Sequence, residues 1–255
     1  MISTLATCYL FLGGAGAGCF VVLSLLKGIR TLRVCPDDLL ALPRDLLSRA
    51  WVLCVVSLTL GMACIAIDLG RFDNVLVLLT SPQPVPLAVG AYTLAFSLVL
   101  GCANAWLSAT DVARRIPDFA IRVLSLIGVV VGSVTVVYTG ILLASMVSVV
   151  AWHSALVPVI FSLSSLSCGL ALILLAAAFT ESRRPQVRPF SWLLSADGAI
   201  IACEALSLAA FVVLLGFDER SVMAQQALMC GDLAIPFWCG VVGVGLALPW
   251  FLDIV

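Results

Sequence analysis

Residues 123–180 read VLSLIGVVVGSVTVVYTGILLASMVSVVAWHSALVPVIFSLSSLSCGLALILLAAAFT and contain no Asp, Glu, Lys or Arg. A membrane-spanning helix needs roughly 20 apolar residues, so this stretch is long enough for two spans, with a break near residues 151–154. Inside hydrocarbon every backbone N–H and C=O must be paired within the protein, which makes such apolar runs helices. The stretch therefore predicts an all-α integral membrane protein.

Similar apolar runs recur along the sequence, which is 63% hydrophobic and 11% charged and has a mean hydropathy of +1.21. We predict one transmembrane domain over residues 1–255, a polytopic bundle of seven helices. The first run has no Lys or Arg ahead of it and is long for the core of a cleaved signal, so we expect it to be retained. The predicted spans are residues 4–26, 50–68, 87–108, 121–147, 155–179, 192–215 and 234–254.

The basic residues predict the orientation of these helices. All but two of the 13 Lys and Arg residues lie in the first, third and fifth loops, and the exceptions are Arg71 and Arg220. Because cytoplasmic loops are enriched in Lys and Arg, we expect a protein of the cytoplasmic (inner) membrane with its N-terminus outside. No basic block is dense enough to follow a nucleic-acid backbone, so the expected surroundings are membrane lipid and no nucleic acid.

The ten cysteines and the single histidine argue against a haem or a metal cluster. No two cysteines form a Cys-x-x-Cys pair, the spacing that thiolate-bound zinc and iron–sulfur sites use. Most lie in apolar runs, where cysteine behaves as a small hydrophobe, and the loop cysteines Cys35 and Cys230 are predicted on opposite sides of the membrane. Membrane cytochromes of the b type usually use two histidines, and this protein has only His153. We expect no haem, iron–sulfur cluster or metal site in it.

The first predicted helix contains the string GGAGAG at residues 13–18. A dinucleotide-binding loop is excluded because no strand precedes the string. Gly14 and Gly18 form a G-x-x-x-G face, which lets a neighbouring helix backbone approach closely. Helix packing is the expected role, and room for a flat ligand beside the helix is the alternative.

Several ionisable residues fall within or at the ends of the apolar runs, where charge is costly and often functional. Asp197 and Glu204 are seven residues apart in the sixth span, close to two helical turns, so they share one face. They predict either a proton path or a hydrogen-bonded packing contact. Asp68 and Arg71 predict a local ion pair at the end of the second helix or part of a site. Other expected interhelical hydrogen-bond partners are Asn104, Ser162, Ser164, Ser165 and Ser167.

Short phrases in a particular order resemble a known family. They are YLFLGGAGAG at 9–18, DLGR at 68–71 with the proline-containing loop 81–86, GAY at 90–92, YTGILL at 138–143, and Trp152 with LVPVIFSLS at 156–164. Together they resemble the NrfD family of membrane subunits, which includes that of polysulfide reductase, with the DMSO reductase anchor a more distant cousin. The resemblance covers residues 1–180 well and the rest by pattern. Characterised members have eight spans, so either this sequence is truncated or the eighth helix is dispensable.

The resemblance implies a membrane anchor that exchanges electrons with a quinone or quinol, menaquinone being the expected species, near the outer face. The expected partner is an iron–sulfur subunit docked outside and, through it, a molybdopterin or multihaem catalytic subunit. In the family a phenol equivalent to Tyr138 hydrogen-bonds a quinone carbonyl, and we expect Tyr9, Asp68 and Arg71 beside it. The anchor itself would not act on the terminal substrate.

Two other functions remain open from the sequence. Glu204 could be the coupling site of a proton-coupled secondary transporter, although no internal repeat is visible. The protein could also be a purely structural anchor with no quinone site.

Overall fold

The computed structural model describes residues 4–32, 42–68, 86–110, 116–145, 152, 154–179, 187–217 and 221–254, without the side chains of 86–88, 187–190 and 254. Over these ranges the regular structure is helical and no strand occurs, which confirms the predicted all-α class. The helices are α1 (Thr4–Leu32), α2 (Arg44–Asp68), α3 (Pro86–Ala109), α4 (Asp118–Ala144), α5 (Leu156–Ala178), α6 (Val187–Leu215), α7 (Val222–Met229), a π-helix (Pro236–Ala247) and α8 (Leu248–Ile254).

Seven helical segments in the described part of the protein are long and apolar enough to cross a membrane, when the π-helix and α8 are taken together as one. The predicted polytopic bundle is therefore confirmed. The helix ends differ from the prediction, because α1 continues through Lys27 and Arg30 to Leu32 and α2 already begins at Arg44. Long basic side chains reach toward water while their stems cover apolar surface, so a helix need not end with its apolar run.

The last span is mostly a π-helix, a geometry that was not predicted from the sequence. The backbone N–H of Leu248 donates to the carbonyl of Gly243, five residues earlier, as the wider turn requires. Three glycines, at positions 240, 243 and 245, lie in this segment. Hydropathy measures how apolar a segment is and not the width of its turns, so the pattern predicted a span here without its geometry. The short helix α7 was also not predicted.

Helix α1 lies at the centre of the bundle. It packs directly against α2, α4 and α5. The helices around it form a closed ring in the order α2, α3, α4, α5 and back to α2, each in contact with the next. Its apolar window is 72% buried inside the protein, and no other candidate span among the described residues exceeds 39%. Helix α6 packs on the outside of α5, and α8 packs on α6. The remaining apolar surface of these helices is available to lipid.

The core around α1 combines aromatic packing with close backbone contacts. Phe20 and Trp51 are fully or almost fully buried and meet edge-to-face, with ring centroids 5.7 Å apart. From α2, the hydroxyl of Ser57 donates to the carbonyl of Leu12 at 2.8 Å. From α4, the hydroxyl of Ser125 donates to the backbone of α1 as well. Polar contacts of this kind help hold helices together in lipid, where apolar burial alone gives little preference.

Glycines bring the backbones of α1 and α5 into direct contact. A Cβ atom at Gly18 would overlap the carbonyl oxygen of Ser165, and one at Gly169 would overlap the backbone nitrogen of Cys19. At Gly14 a Cβ would lie 2.9 Å from the Ser165 hydroxyl oxygen. Gly14 and Gly18 therefore both face α5, and the two helices can approach this closely only because these positions lack side chains.

We predict that Gly169→Ala destabilises the protein by about 1–3 kcal/mol, the usual cost of forcing an extra methyl group into a packed interface. The measurement is the thermal unfolding temperature of the purified protein in mild detergent. Gly198→Ala on α6 is the matched control, because a Cβ there meets no atom within 4 Å. Equal stability of the two variants would contradict the assigned contact between α1 and α5.

Candidate functional site

Two tyrosines form the centre of the candidate site. Tyr9 on α1 and Tyr138 on α4 are 5% and 6% exposed, and the two phenols lie near enough to interact electrostatically. Tyr9 is close to the start of α1 and Tyr138 close to the end of α4, so the pair lies at the end of the bundle where α1 begins. We name this end the N-terminal end and the other the opposite end. Folding thus brings together two residues that the sequence had assigned to one site.

Glycines also create the space that the two rings occupy. A Cβ atom at Gly90 on α3 would overlap the ring of Tyr138, so this ring lies directly on the backbone of α3. The ring of Tyr9 lies over Gly13, one turn further along α1, with its Cε2 atom 3.4 Å from the position of a Cβ there. The three helices α1, α3 and α4 therefore define where the phenols are.

The hydroxyl of Tyr138 is buried and has no hydrogen-bond partner among the residues that the structure describes. Its neighbours on α4 differ, since Thr135 and Thr139 donate to the carbonyls of Val131 and Thr135 on their own helix. A buried polar group without a partner is uncommon and costs free energy. The Tyr138 hydroxyl therefore has a hydrogen that no acceptor in the described ranges takes up.

Asp68 lies at the same end of the bundle as the tyrosines. Cys54 of α2 contacts the carbonyl of Gly16 while Gly61, two turns further along α2, contacts Gly13, so α2 runs antiparallel to α1. Continuing this pairing places Asp68, the last residue of α2, beyond Tyr9 toward the start of α1, where its side chain is exposed. Arg71, the predicted partner of Asp68, lies outside the described residues.

A second polar feature runs between α5 and α6. The side chain of Ser167 lies within hydrogen-bonding range of the Asp197 carboxyl, and that of Ser164 within range of Glu204. Asp197 is 3% exposed and Glu204 is half-buried. We name these four residues the α5–α6 seam. The spacing had placed the two carboxyls on one face of α6, and the structure brings hydroxyls of α5 against that face.

A third carboxyl, which was not singled out from the sequence, joins the seam from the last span. Asp253 on α8 lies within hydrogen-bonding range of Asp197. One oxygen of each carboxyl, Oδ1 of Asp197 and Oδ2 of Asp253, has no hydrogen-bond partner in the described ranges. An available signal was that Asp253 is the sole charged residue in the run from 233 to 255.

Helix α5 links the seam to the centre of the bundle. Ser165 faces Gly14 of α1, while Ser164 and Ser167 face α6, so neighbouring hydroxyls on one helix point to two different helices. Within the described residues no three His, Cys, Asp or Glu side chains come together as a metal ligand set. His153 and Cys35 lie outside those residues.

Comparisons with known proteins identify the family of this protein. A protein-family model described as "Polysulphide reductase, NrfD" matches residues 3–255. The chain belongs to the NrfD family. The C subunit of polysulfide reductase from Wolinella succinogenes is 25% identical over 263 residues, which cover 96% of this protein and 80% of the relative. Protein NrfD of Escherichia coli is 32% identical over 117 residues, which cover 45% of this protein and 37% of the relative.

Membership of the NrfD family confirms the resemblance that was based on the short sequence motifs between residues 9 and 164. It also gives the broad class of the protein, a multi-pass membrane subunit of an oxidoreductase complex of the anaerobic respiratory type. The tyrosine pair and the α5–α6 seam are thus features of an NrfD-family protein.

The unpartnered hydroxyl of Tyr138 leads to a stability prediction. We expect Tyr138→Phe to leave the thermal unfolding temperature unchanged or slightly raised, because it removes a buried polar group that makes no hydrogen bond within the described residues. Ser57→Ala is the contrast, since it deletes a 2.8 Å interhelical hydrogen bond and should cost about 1 kcal/mol. A larger loss for Tyr138→Phe than for Ser57→Ala would show that the phenol has a structural partner.

Proposed function

We propose that this NrfD-family protein exchanges electrons between a membrane quinone or quinol and a partner subunit of its complex, at a site centred on Tyr138. The observation that carries the proposal is the buried hydroxyl of Tyr138, which has no hydrogen-bond partner in the described part of the protein. A quinone ring presents carbonyl oxygens, which accept hydrogen bonds and cannot donate them. The rings of Tyr9 and Tyr138, which rest on the backbones at Gly13 and Gly90, would offer flat surfaces against a ring of this shape.

The residues at the N-terminal end each supply one part of the chemistry. A bound quinol supplies two electrons and two protons on oxidation, and reduction is the reverse. Tyr138 orients the head group through its hydroxyl and Tyr9 closes one side. Asp68, exposed at the end of α2, accepts or returns a proton, and Arg71, three residues later in the sequence, is proposed to belong to the same site. The membrane protein thus handles protons while the electrons leave to the partner.

The orientation of the protein determines where the partner docks. The distribution of Lys and Arg supports a cytoplasmic (inner) membrane protein with the N-terminus outside. In this orientation the tyrosine pair is near the outer face, and an iron–sulfur subunit docked there would be close to the quinone site. A molybdopterin or multihaem subunit would then act on the terminal substrate. Menaquinone is the proposed redox lipid.

We further propose that the α5–α6 seam carries protons from the opposite end of the bundle. Asp253, Asp197 and Glu204 lie in this order from the end of α8 toward the middle of α6, with Ser167 and Ser164 between them on α5. Carboxyls linked by hydroxyls at membrane depth are the groups that proton relays use. The same seam is the feature that favours the alternative function, proton-coupled transport through Glu204.

Binding of a quinol analogue tests the quinone site. We expect Tyr138→Phe to weaken binding about three- to tenfold, the value of one hydrogen bond, and Asp68→Asn to slow quinol oxidation in the assembled complex more than it weakens binding. Tyr92→Phe is the matched control, because Tyr92 is the remaining tyrosine and is 52% exposed on α3. Unchanged affinity for Tyr138→Phe together with unchanged oxidation for Asp68→Asn would exclude this pocket.

Purification of the tagged protein in mild detergent tests the proposed partner. We expect an iron-rich, ferredoxin-like subunit to co-purify, with iron and molybdenum assayed in the recovered material. As a control, a second sample of the tagged protein is washed at high salt during purification, which removes other proteins that are only loosely bound to it. Recovery of a metal-free protein that conducts protons in liposomes without electron flow would favour the transporter function instead.

A further inference from the structure

A cavity of about 380 Å³ lies at the opposite end of the bundle from the tyrosine pair. Its walls are the end of α1, the start of α2, the end of α3 and the start of α4. Much of the surface is apolar, with Leu23, Leu26, Trp51 and Leu107 among the residues that line it. The cavity is therefore separate from the proposed quinone site and from the α5–α6 seam.

The charged lining of this cavity is mainly positive. Among the described residues that line it, Lys27, Arg30 and Arg44 are cationic and Asp118 is anionic. An apolar wall with a positive rim matches an amphiphile that carries a negative head group. Basic pockets between membrane helices are known to bind the head groups of anionic lipids.

The neutral hydroxyls of the lining are already engaged with their own helices. Thr31 donates to the carbonyl of Gly28 at 2.8 Å, and Ser108 donates to the carbonyl of Asn104 at 2.8 Å. Thr110 makes the same kind of bond, at 2.9 Å, to an α3 carbonyl. A hydroxyl has only one hydrogen to donate. These hydroxyls therefore have no hydrogen left for an occupant, and Lys27 and Arg30 are the candidate donors to an anion in the cavity.

Hydrogen bonds between helices hold this end of the bundle in place. The Nζ atom of Lys27 donates to Oδ1 of Asn104 at 2.6 Å, which joins α1 to α3. A guanidinium N–H of Arg122 donates to the carbonyl of Thr31 at 2.9 Å, which joins α4 to α1. An ammonium group has three hydrogens, so Lys27 can contact an anion while it keeps its bond to Asn104.

We propose that this cavity binds the phosphate group of an anionic phospholipid, with Lys27 and Arg30 contacting the phosphate and the acyl chains lying along the apolar lining. A guanidinium and an ammonium are the side chains that proteins use most for phosphate oxygens. Inorganic phosphate shares the charge but has no apolar part to cover the partly exposed lining residues Leu47, Leu107 and Ile121. The proposal is independent of quinone binding, because it concerns the other end of the bundle.

Native mass spectrometry of the detergent-purified protein tests the site. The probes are dioleoyl phosphatidylglycerol and dioleoyl phosphatidylcholine, which share acyl chains and differ in net charge. We expect phosphatidylglycerol to bind in preference, and Arg30→Gln to weaken its binding about fivefold, the usual effect of one basic residue near a lipid surface. Arg49→Gln is the matched control, since Arg49 is an exposed arginine of α2 at the same end that does not line the cavity.

Three results would overturn the proposal. They are equal binding of the two lipids, equal losses for Arg30→Gln and Arg49→Gln, and competition by millimolar inorganic phosphate that removes the lipid completely from the wild-type protein. The last result would assign the cavity to a free anion.

The thermal unfolding temperature of each variant without lipid is measured alongside as a control for folding. Lys27→Arg, which keeps the charge, should retain the preference for phosphatidylglycerol. Loss of quinol-analogue binding by Tyr138→Phe would leave this test unaffected.

Discussion

The backbone contact between α1 and α5 is the constraint on which the rest of the structure depends. Lipid tails are as apolar as leucine, so helices in a bilayer associate through close packing and polar contacts and gain little from apolar burial. Gly18 and Gly169 allow that close packing, because a methyl group at either position would collide with the other backbone. On the other sides of α1, a Cβ at Gly16 would meet Leu58 of α2 and one at Gly132 of α4 would meet Val21. The smallest side chains thus determine which helix is central.

The same contact fixes the relative positions of the two polar features. Helix α5 presents Ser165 to α1. It presents Ser164 and Ser167, which lie on either side of Ser165 in the sequence, to α6. Successive residues on an α-helix are rotated by about 100°, so a small rotation of α5 would remove hydroxyls from both neighbours together. The α5–α6 seam is therefore held in register with α1, and α1 carries Tyr9. In the proposed function, α5 and α1 would connect the site of electron exchange with the proton path along the seam.

The sequence predicted the number of spans, their approximate limits and the family, because each depends on apolar run length or on short local phrases. It could not predict contacts that depend on how helices are rotated against each other. Gly90 and Tyr138 are far apart in the sequence, and only the packing of α3 on α4 shows that one makes room for the other. Asp253 falls within the predicted span 234–254, and nothing in the sequence indicates that it is a neighbour of Asp197. Lys27 was counted as a topology signal, whereas the structure pairs it with Asn104 of α3.

The central position of α1 has a consequence for how the protein is made. Helices enter the membrane in the order of synthesis, and stable spans insert before they associate. The first helix is therefore in lipid while the ribosome is still producing α4 and α5, the helices that cover its glycine face. Contacts between residues so distant in the sequence form late and are slow to find. Helix α1, the most buried candidate span in the described part of the protein, thus stays uncovered on this face until α4 and α5 have been made.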